Sequence, residues 1–423
     1  MMHYSKNSKS TAKSEVPENL PFLYLALPVM DEPDLLPRTL NCIAGQTYRR
    51  FKLVICVNQP ESWWSDPLKI TACHHNRDIL QELQNWKGGE LEVLDHSTEG
   101  HGWIGKRHGV GHARKTIMDH ISHEADPQDV IVSLDADTVF SEDYLRSVAE
   151  NFATKKKMVA LAAPYYHPLT GHEIIDRAML RYEIYMRHYF LNMAFINSPY
   201  LFTALGSALA VPVWAYRAIG GMTPKMSGED FYFLQKLTKF GPVGLWNDEV
   251  VYPEARLSDR VFFGTGPALI QGVKGDWSSY PIYPCSLFDQ ISETYNLLPE
   301  LHHKTVQTPV VAFISKIFNE ADPFQPLREN HKIQERFIRA FHEKFDGLRI
   351  LQFLKTTHEE IPTTDEENLS GFLIRYFKGA KGNPVKTSQD RFSFQHSSFD
   401  ELVKIREFLF QKEMDFRANA IPG

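Results

Sequence analysis

Two aspartates, Asp135 and Asp137, follow directly after an apolar run of the sequence, VIVSL at residues 130–134. Two carboxylates this close repel each other unless one takes up a proton or a cation lies nearby. Oxygen ligands on a loop suit a hard divalent cation such as Mg²⁺ or Mn²⁺, which keeps several waters and also binds phosphate oxygens. The pair therefore indicates a metal–diphosphate site, although in a chain with 52 acidic residues a solvated turn is the alternative.

The elements that must position this pair alternate between strands and helices. Short apolar runs at residues 22–28, 51–57, 91–94 and 158–164 predict strands, and helical patterns lie between them. This alternation predicts an α/β fold with a mainly parallel sheet covered by helices on both faces. Ligands of such sheets bind beyond the carboxyl ends of the strands, which is where the aspartate pair lies.

The chain divides into three predicted regions. Residues 1–20 are polar and predict a disordered lead, residues 21–275 hold the α/β domain, and residues 276–423 predict a mostly helical C-terminal region. The apolar stretch at residues 189–216 is interrupted by asparagines and prolines, so it predicts a buried helix, turn and strand rather than a membrane span. Peripheral membrane association stays open, because residues 176–190 mix arginines with aromatic side chains.

Composition excludes several classes of protein. The net charge of −6 argues against a nucleic-acid-binding protein. The four cysteines are too scattered for a disulfide framework, and the N-terminus lacks the apolar segment of a secretory signal. These features favour a cytoplasmic location, and a place at the inner face of the membrane stays open.

Support for the metal–diphosphate interpretation comes from three other segments. They are LPVMDEP at residues 27–33, GVGHARKTIMDHI at residues 109–121, and ALGSALAVPVWAYRAIGGMTPKMSGEDFYFLQKL at residues 204–237. Together with the DAD triplet at residues 135–137, and in this order, they resemble the family 2 glycosyltransferases of the GT-A fold. The resemblance covers roughly residues 21–255.

This resemblance implies an inverting, metal-dependent transfer of a sugar from a nucleoside-diphosphate donor to an acceptor hydroxyl. It implies that Asp137 coordinates Mg²⁺ or Mn²⁺ and that Asp135 contacts the ribose or the metal. It also implies that Asp230 is the general base, since an attacking hydroxyl must lose its proton to a carboxylate within hydrogen-bond reach. Glu229 is expected to orient Asp230 or to bind the acceptor.

The donor site is predicted from the same segments. A proline followed by Asn–Glu is typical of the family's first strand, and here Asp31–Glu32 follows Pro28. The basic, glycine-rich segment that contains Lys106 and Arg114 could hold phosphate at a helix start. The residues expected to contact the donor are Pro28, Asp31, Glu32, Asn58, Lys106, Arg114 and Asp135.

Two departures from the family pattern limit the prediction. The second strand ends in Asn58, Gln59 and Pro60, where the family carries aspartates that bind the base, so the base cannot be read. Residues 255–269 lack the Gln-x-x-Arg-Trp motif of processive members, which favours transfer of a single sugar. The acceptor, whether a glycan, a lipid-linked molecule or a small molecule, is not indicated.

Three alternatives remain at this stage. A sugar nucleotidyltransferase would carry a basic, glycine-rich loop after its first strand, where this chain has residues 28–33. A catalytically inactive GT-A module could serve as a binding or scaffold protein, although the intact carboxylates argue against it. His101, His108 and His112 are close enough in sequence to suggest a zinc site, but further ligands at fixed spacing are not evident.

Overall fold

The apolar runs that predict strands lie side by side in one seven-stranded sheet, beside a separate two-stranded sheet. The computed structural model describes residues 19–105, 108–225, 227–257, 264–385, 387 and 392–420. Lys106 and most of the predicted N-terminal lead lie outside these residues. The strands are β1 (Leu23–Val29), β2 (Phe51–Asn58), β3 (Glu90–His96), β4 (Val130–Ser133), β5 (Thr138–Phe140), β6 (Ala160–Ala162), β7 (Leu209–Pro212), β8 (Val243–Gly244) and β9 (Val251–Pro253).

The large sheet is mainly parallel, as predicted. Its strand order is β3, β2, β1, β4, β7, β6, β8. The first four of these strands pair in parallel, while β7 runs antiparallel to both β4 and β6. Because β1, β2 and β4 run in the same direction, their carboxyl ends meet at one edge of the sheet.

Helices cover both faces of the sheet, which confirms the expected α/β architecture. Ala26 and Ile131 point into one apolar cluster, and Leu25 and Val132 point into the other, since successive side chains alternate between faces. The helices of the first part of the chain are α1 (Leu36–Ala44), α2 (Ile70–Gln84), α3 (Val110–Glu124), α4 (Tyr144–Thr154), α5 (Glu173–Phe195), α6 (Val213–Ala218), α7 (Glu229–Phe240) and α8 (Thr265–Val273).

The apolar stretch at residues 189–216 forms the end of α5, a turn and β7, as predicted, and then the start of α6. Within the described residues, the structure has no helix with the length and apolar character that a membrane crossing requires. The cytoplasmic location stays a prediction.

The C-terminal region is helical, as predicted. Both α15 and α16 begin with a capping box, in which Thr364 pairs with Glu367 and Ser398 pairs with Glu401. One apolar cluster continues from the sheet into this region, so the predicted boundary near residue 275 does not interrupt the core. The helices are α9 (Cys285–Asn296), α10 (Leu298–Leu301), α11 (Pro309–Phe318), α12 (Gln325–Asn330), α13 (Gln334–Lys344), α14 (Gly347–His358), α15 (Asp365–Phe377) and α16 (Phe399–Asn419).

The last helix, α16, returns to α5 and contacts it through buried charged side chains. Arg187 lies 2.8 Å from Glu413 and 3.1 Å from Glu183, both measured from guanidinium nitrogen to carboxylate oxygen. Arg406 lies 3.3 Å from Glu183, and Arg417 lies 2.7 Å from Glu413. Each of these five side chains is at most 2% exposed. Removing one partner would leave a buried charge without its counter-ion.

We therefore expect Arg187→Met to lower the free energy of unfolding by about 3–5 kcal/mol, since it leaves Glu183 and Glu413 short of positive charge. A matched control is Arg375→Met, which breaks a pair with Asp289 whose side chains are 46% and 45% exposed. That change should cost no more than about 1 kcal/mol. Urea unfolding of both variants measures the difference, and equal losses would contradict a stabilising role for the buried charges.

Candidate active site

A buried arginine on α3, Arg114, joins the predicted donor residues to the predicted catalytic residues. Its Nη2 lies 2.7 Å from Asp135 Oδ1, and its Nε lies 3.4 Å from Glu229 Oε1. Nη1 donates to Ser133 Oγ and, at 3.2 Å, to the carbonyl of Gly206. Burial alone would lower the pKa of Arg114, but the two carboxylates raise it above its usual value, so the guanidinium stays charged.

A second arginine, Arg256, lies against the other aspartate of the pair. Its Nη2 is 2.9 Å from Asp137 Oδ2, and its Nη1 donates to Glu32 at 2.8 Å. Burial and the neighbouring charge of Asp135 raise the pKa of Asp137 to about 6, although Arg256 acts in the opposite direction. Burial is the largest cause of this pKa shift, and Arg256 reduces the shift without cancelling it.

The predicted catalytic pair opens α7, directly after Gly228, which has a left-handed backbone with φ of 69°. Glu229 is 4% exposed, and burial together with the charge of Asp230 raises its pKa to about 7. Burial also raises the pKa of Asp230, while Arg114 lowers it. One oxygen of Asp230 accepts the backbone N–H of Phe231 at 2.7 Å.

Together these residues form a strongly negative site at the carboxyl edge of the sheet. Five carboxylates, those of Glu32, Asp135, Asp137, Glu229 and Asp230, face two guanidiniums among the described residues. Burial is the largest cause of the raised pKa values of Asp137, Glu229 and Asp230, and neighbouring carboxylates add to it. The donor set consists of hard oxygen atoms, so the site fits Mg²⁺ or Mn²⁺.

The other predicted donor residues lie at the same edge but make different contacts. Asp31 has a left-handed backbone with φ of 56°, and its carboxylate lies 2.7 Å from His75 Nδ1. Asn58 is buried and donates to the carbonyl of Val29 at 2.9 Å, which ties the end of β2 to β1. Pro28 is part of β1. Their contacts with a donor remain predictions.

Among the described residues, Arg256, Gly206 and Ser133 contribute to the site although sequence analysis did not single them out. Strands β5 and β9 pair antiparallel, and this pairing brings the segment after β9 back to Asp137. Each of these strands is three residues long, and they lie more than a hundred residues apart in sequence, so no local pattern announces the contact. Gly206 matters because a Cβ atom built there would lie 2.4 Å from Arg114 Nη2 and 3.2 Å from Asp135 Oδ2.

The zinc alternative gains no support from the described residues. Among the described residues, the three side chains close enough to bind one metal ion together are Glu92, His120 and Glu124. Lys52 Nζ already lies 2.6 Å from a carboxylate oxygen of Glu92, so an ammonium group holds that position. The three histidines singled out in the sequence do not form such a group.

Several solved structures resemble this chain at low sequence identity, whereas no family model and no curated protein sequence matches it. S. aureus TarS 1-349 in complex with UDP-GlcNAc is 12% identical, with a TM-score of 0.40 over 94% of this chain and 91% of that one. The mannosyltransferase PcManGT from Pyrobaculum calidifontis, in complex with GDP-Man and Mn²⁺, is 13% identical, with a TM-score of 0.37 over 95% of this chain and 85% of that one.

A longer S. aureus TarS chain is 10% identical, with a TM-score of 0.37 over 61% of this chain and 44% of that one. This chain therefore spans less than half of the longer TarS chain. The TM-scores of these three matches are 0.40 or lower, so the matches are similarities of fold alone. The chemistry of this chain is argued from its own side chains.

Replacing the glycine beside Arg114 tests whether this arrangement is rigid. We expect Gly206→Ala to destabilise the protein by about 1–3 kcal/mol, because its methyl group displaces Arg114 or shifts the backbone. Gly371→Ala in α15 is the matched control, since a Cβ atom there meets nothing within 4 Å. The control should stabilise the protein by about 0.5–1 kcal/mol, as alanine does in a helix. Thermal unfolding compares the two, and a neutral Gly206→Ala would argue against close packing at Arg114.

The raised pKa of Glu229 predicts a specific dependence of stability on pH. The folded state holds the Glu229 proton up to a pKa of about 7, against an ordinary value of 4.5. Its contribution to stability is therefore present below the ordinary value and is lost as pH rises through about 7, at no more than about 1.4 kcal/mol per pH unit.

Glu229→Gln removes this titration. In the presence of EDTA, its melting temperature relative to wild type should therefore rise between pH 5 and pH 8. A difference that stays constant or falls across this range would show that Glu229 is ionised in the folded protein at low pH.

Proposed function

We propose that this protein is a metal-dependent, inverting glycosyltransferase that moves a single sugar from a nucleoside-diphosphate sugar to an acceptor hydroxyl. The observation that carries the proposal is the single guanidinium of Arg114, which contacts both Asp135 and Glu229. Carboxylates suited to a metal–diphosphate and carboxylates suited to base catalysis are thereby joined at one edge of the sheet.

On the donor side, the chain provides two aspartates in different settings. Asp135 is held by Arg114, whereas Asp137 shares the guanidinium of Arg256 with Glu32. A divalent cation bound there would stabilise the charge that develops on the diphosphate as it leaves. Asp137 and Asp135 are the residues that would hold it, with Glu32 and Arg256 beside them.

On the acceptor side, Asp230 is the proposed general base. A raised pKa makes its carboxylate a better proton acceptor, while Arg114 keeps that pKa from rising further. One oxygen of Asp230 accepts the N–H of Phe231 at 2.7 Å, and the other oxygen is the one proposed to accept the proton of the acceptor hydroxyl. Glu229 is paired with Arg114 and its pKa is raised to about 7, so it is only partly ionised near neutral pH, and its proposed role is to position Asp230.

The nucleotidyltransferase alternative is disfavoured by the residues after β1. A loop that holds a triphosphate needs basic side chains and free backbone N–H groups. Here the segment carries Asp31 and Glu32, and the backbone N–H of Asp31 is bonded to Asn76 Oδ1 at 2.8 Å. A catalytically inactive module would not turn over nucleotide sugars, so an activity measurement distinguishes this alternative from the proposal.

Turnover of nucleotide sugars tests the proposal. UDP- and GDP-linked sugars incubated with the protein and Mn²⁺ should release the nucleoside diphosphate, with water or an added glycan as acceptor. Asp230→Asn should lower that rate by about 10²–10⁴-fold, because it removes the proton acceptor. Binding of the nucleoside diphosphate, measured by calorimetry, should stay within a few-fold of wild type.

The control for this substitution is Asp289→Asn, an exposed aspartate paired with Arg375 on the helical region, and it should leave the rate unchanged. Proton NMR of the product should show the anomeric configuration opposite to that of the donor. A retained configuration would contradict the inverting mechanism, and full activity in Asp230→Asn would remove Asp230 as the base.

A further inference from the structure

The guanidinium of Arg256 forms a bidentate contact with one carboxylate, and one of its two nitrogens also contacts a second carboxylate. Nη1 and Nη2 donate to the two oxygens of Glu32, which is 7% exposed. The same Nη2 lies 2.9 Å from Asp137 Oδ2. Parallel N–H···O bonds of this kind fix an arginine in one orientation. Glu32 therefore anchors Arg256, and Asp137 receives a shared bond from it.

This geometry places a fixed positive charge beside the aspartate that is proposed to bind the metal. A divalent cation at Asp137 would lie within a few ångströms of the guanidinium, and at that separation the repulsion is large even in a partly solvated site. The Arg256 side chain is 28% exposed, so a ligand in the site can reach it. A diphosphate would bring negative charges that offset both cations.

We propose that Arg256 couples metal binding to nucleotide binding, so that the divalent cation binds tightly only together with the nucleoside diphosphate. The inference rests on the proposed function, since it assumes that Asp137 is a metal ligand. Without nucleotide, the positive charge of Arg256 partly offsets the negative charge of Asp137 and weakens binding of the cation there. With nucleotide, the diphosphate contacts the cation and faces the guanidinium, and the repulsion is compensated.

Thermodynamic linkage makes this coupling reciprocal. If the nucleotide raises the affinity for the metal by some factor, the metal raises the affinity for the nucleotide by the same factor. The effect of a residue on this factor can therefore be measured from metal binding alone, without any measurement of sugar transfer.

Titration of MnCl₂, followed by loss of the electron paramagnetic resonance signal of free Mn²⁺, tests the inference. For wild type, UDP or GDP should tighten Mn²⁺ binding by about tenfold or more. Arg256→Gln should bind Mn²⁺ without nucleotide about tenfold more tightly than wild type does, and the further gain on adding nucleotide should shrink. If the substitution only damaged the structure of the site, Mn²⁺ binding would become weaker. Tighter Mn²⁺ binding is therefore expected only if Arg256 repels the cation.

Two controls separate charge from structure. Arg256→Lys keeps the positive charge but not the bidentate contact with Glu32, so its affinity for Mn²⁺ without nucleotide should lie closer to that of wild type than the affinity of Arg256→Gln does. Arg38→Gln removes a neighbouring arginine, paired with Glu254 at 3.0 Å, and should change nothing. Thermal unfolding of each variant verifies that it is folded.

The outcomes distinguish the two proposals. If wild type shows nucleotide-dependent Mn²⁺ binding and a folded Arg256→Gln keeps the same dependence, the coupling role of Arg256 is wrong while the proposed function stands. If Mn²⁺ binds to none of the proteins, with or without UDP or GDP, the metal-dependent function itself fails and the coupling fails with it.

Discussion

The buried guanidinium of Arg114 is the contact on which the rest of the site depends. A charge that is 2% exposed must be surrounded by partners, and its partners here come from three separate elements. Asp135 follows β4, Glu229 begins α7, and Gly206 lies in the turn before β7. Because one rigid planar group contacts all three, the donor and acceptor halves of the proposed site are fixed relative to each other.

Sequence reasoning singled out those residues of the candidate site that lie next to recognisable strands and turns. Asp135 and Asp137 follow an apolar strand, and Glu229 and Asp230 follow a glycine, but their roles are expected from the resemblance to family 2 glycosyltransferases and not from spacing alone. It could not find Arg256, because that contact depends on the pairing of β5 with β9. Nor could it foresee that the carboxylate of Asp31 lies against α2, since that orientation follows from a left-handed backbone.

In the C-terminal helical region, too, local sequence patterns do not predict the long-range contacts. The sequence of α16 carries charged residues along most of its length, which is typical of a helix that faces solvent. In the structure, Arg406, Glu413 and Arg417 are buried, and Arg417 donates to the carbonyls of Ala162 and Leu245 at 2.9 Å each. Only the return of α16 to the sheet supplies these acceptors, so local periodicity predicts the helix but not its position.

The central claim is that the carboxylates around Asp137 hold a divalent cation together with a nucleoside diphosphate. The most direct measurement is a thermal-shift panel of UDP, GDP, CDP and dTDP, each with Mn²⁺, Mg²⁺ or EDTA, on wild type and Asp137→Asn. A ligand that binds only the folded state raises the melting temperature. We expect one nucleotide to stabilise wild type with metal but not with EDTA, and to lose this effect in Asp137→Asn. Equal stabilisation of both proteins, or none by any nucleotide, would contradict the account.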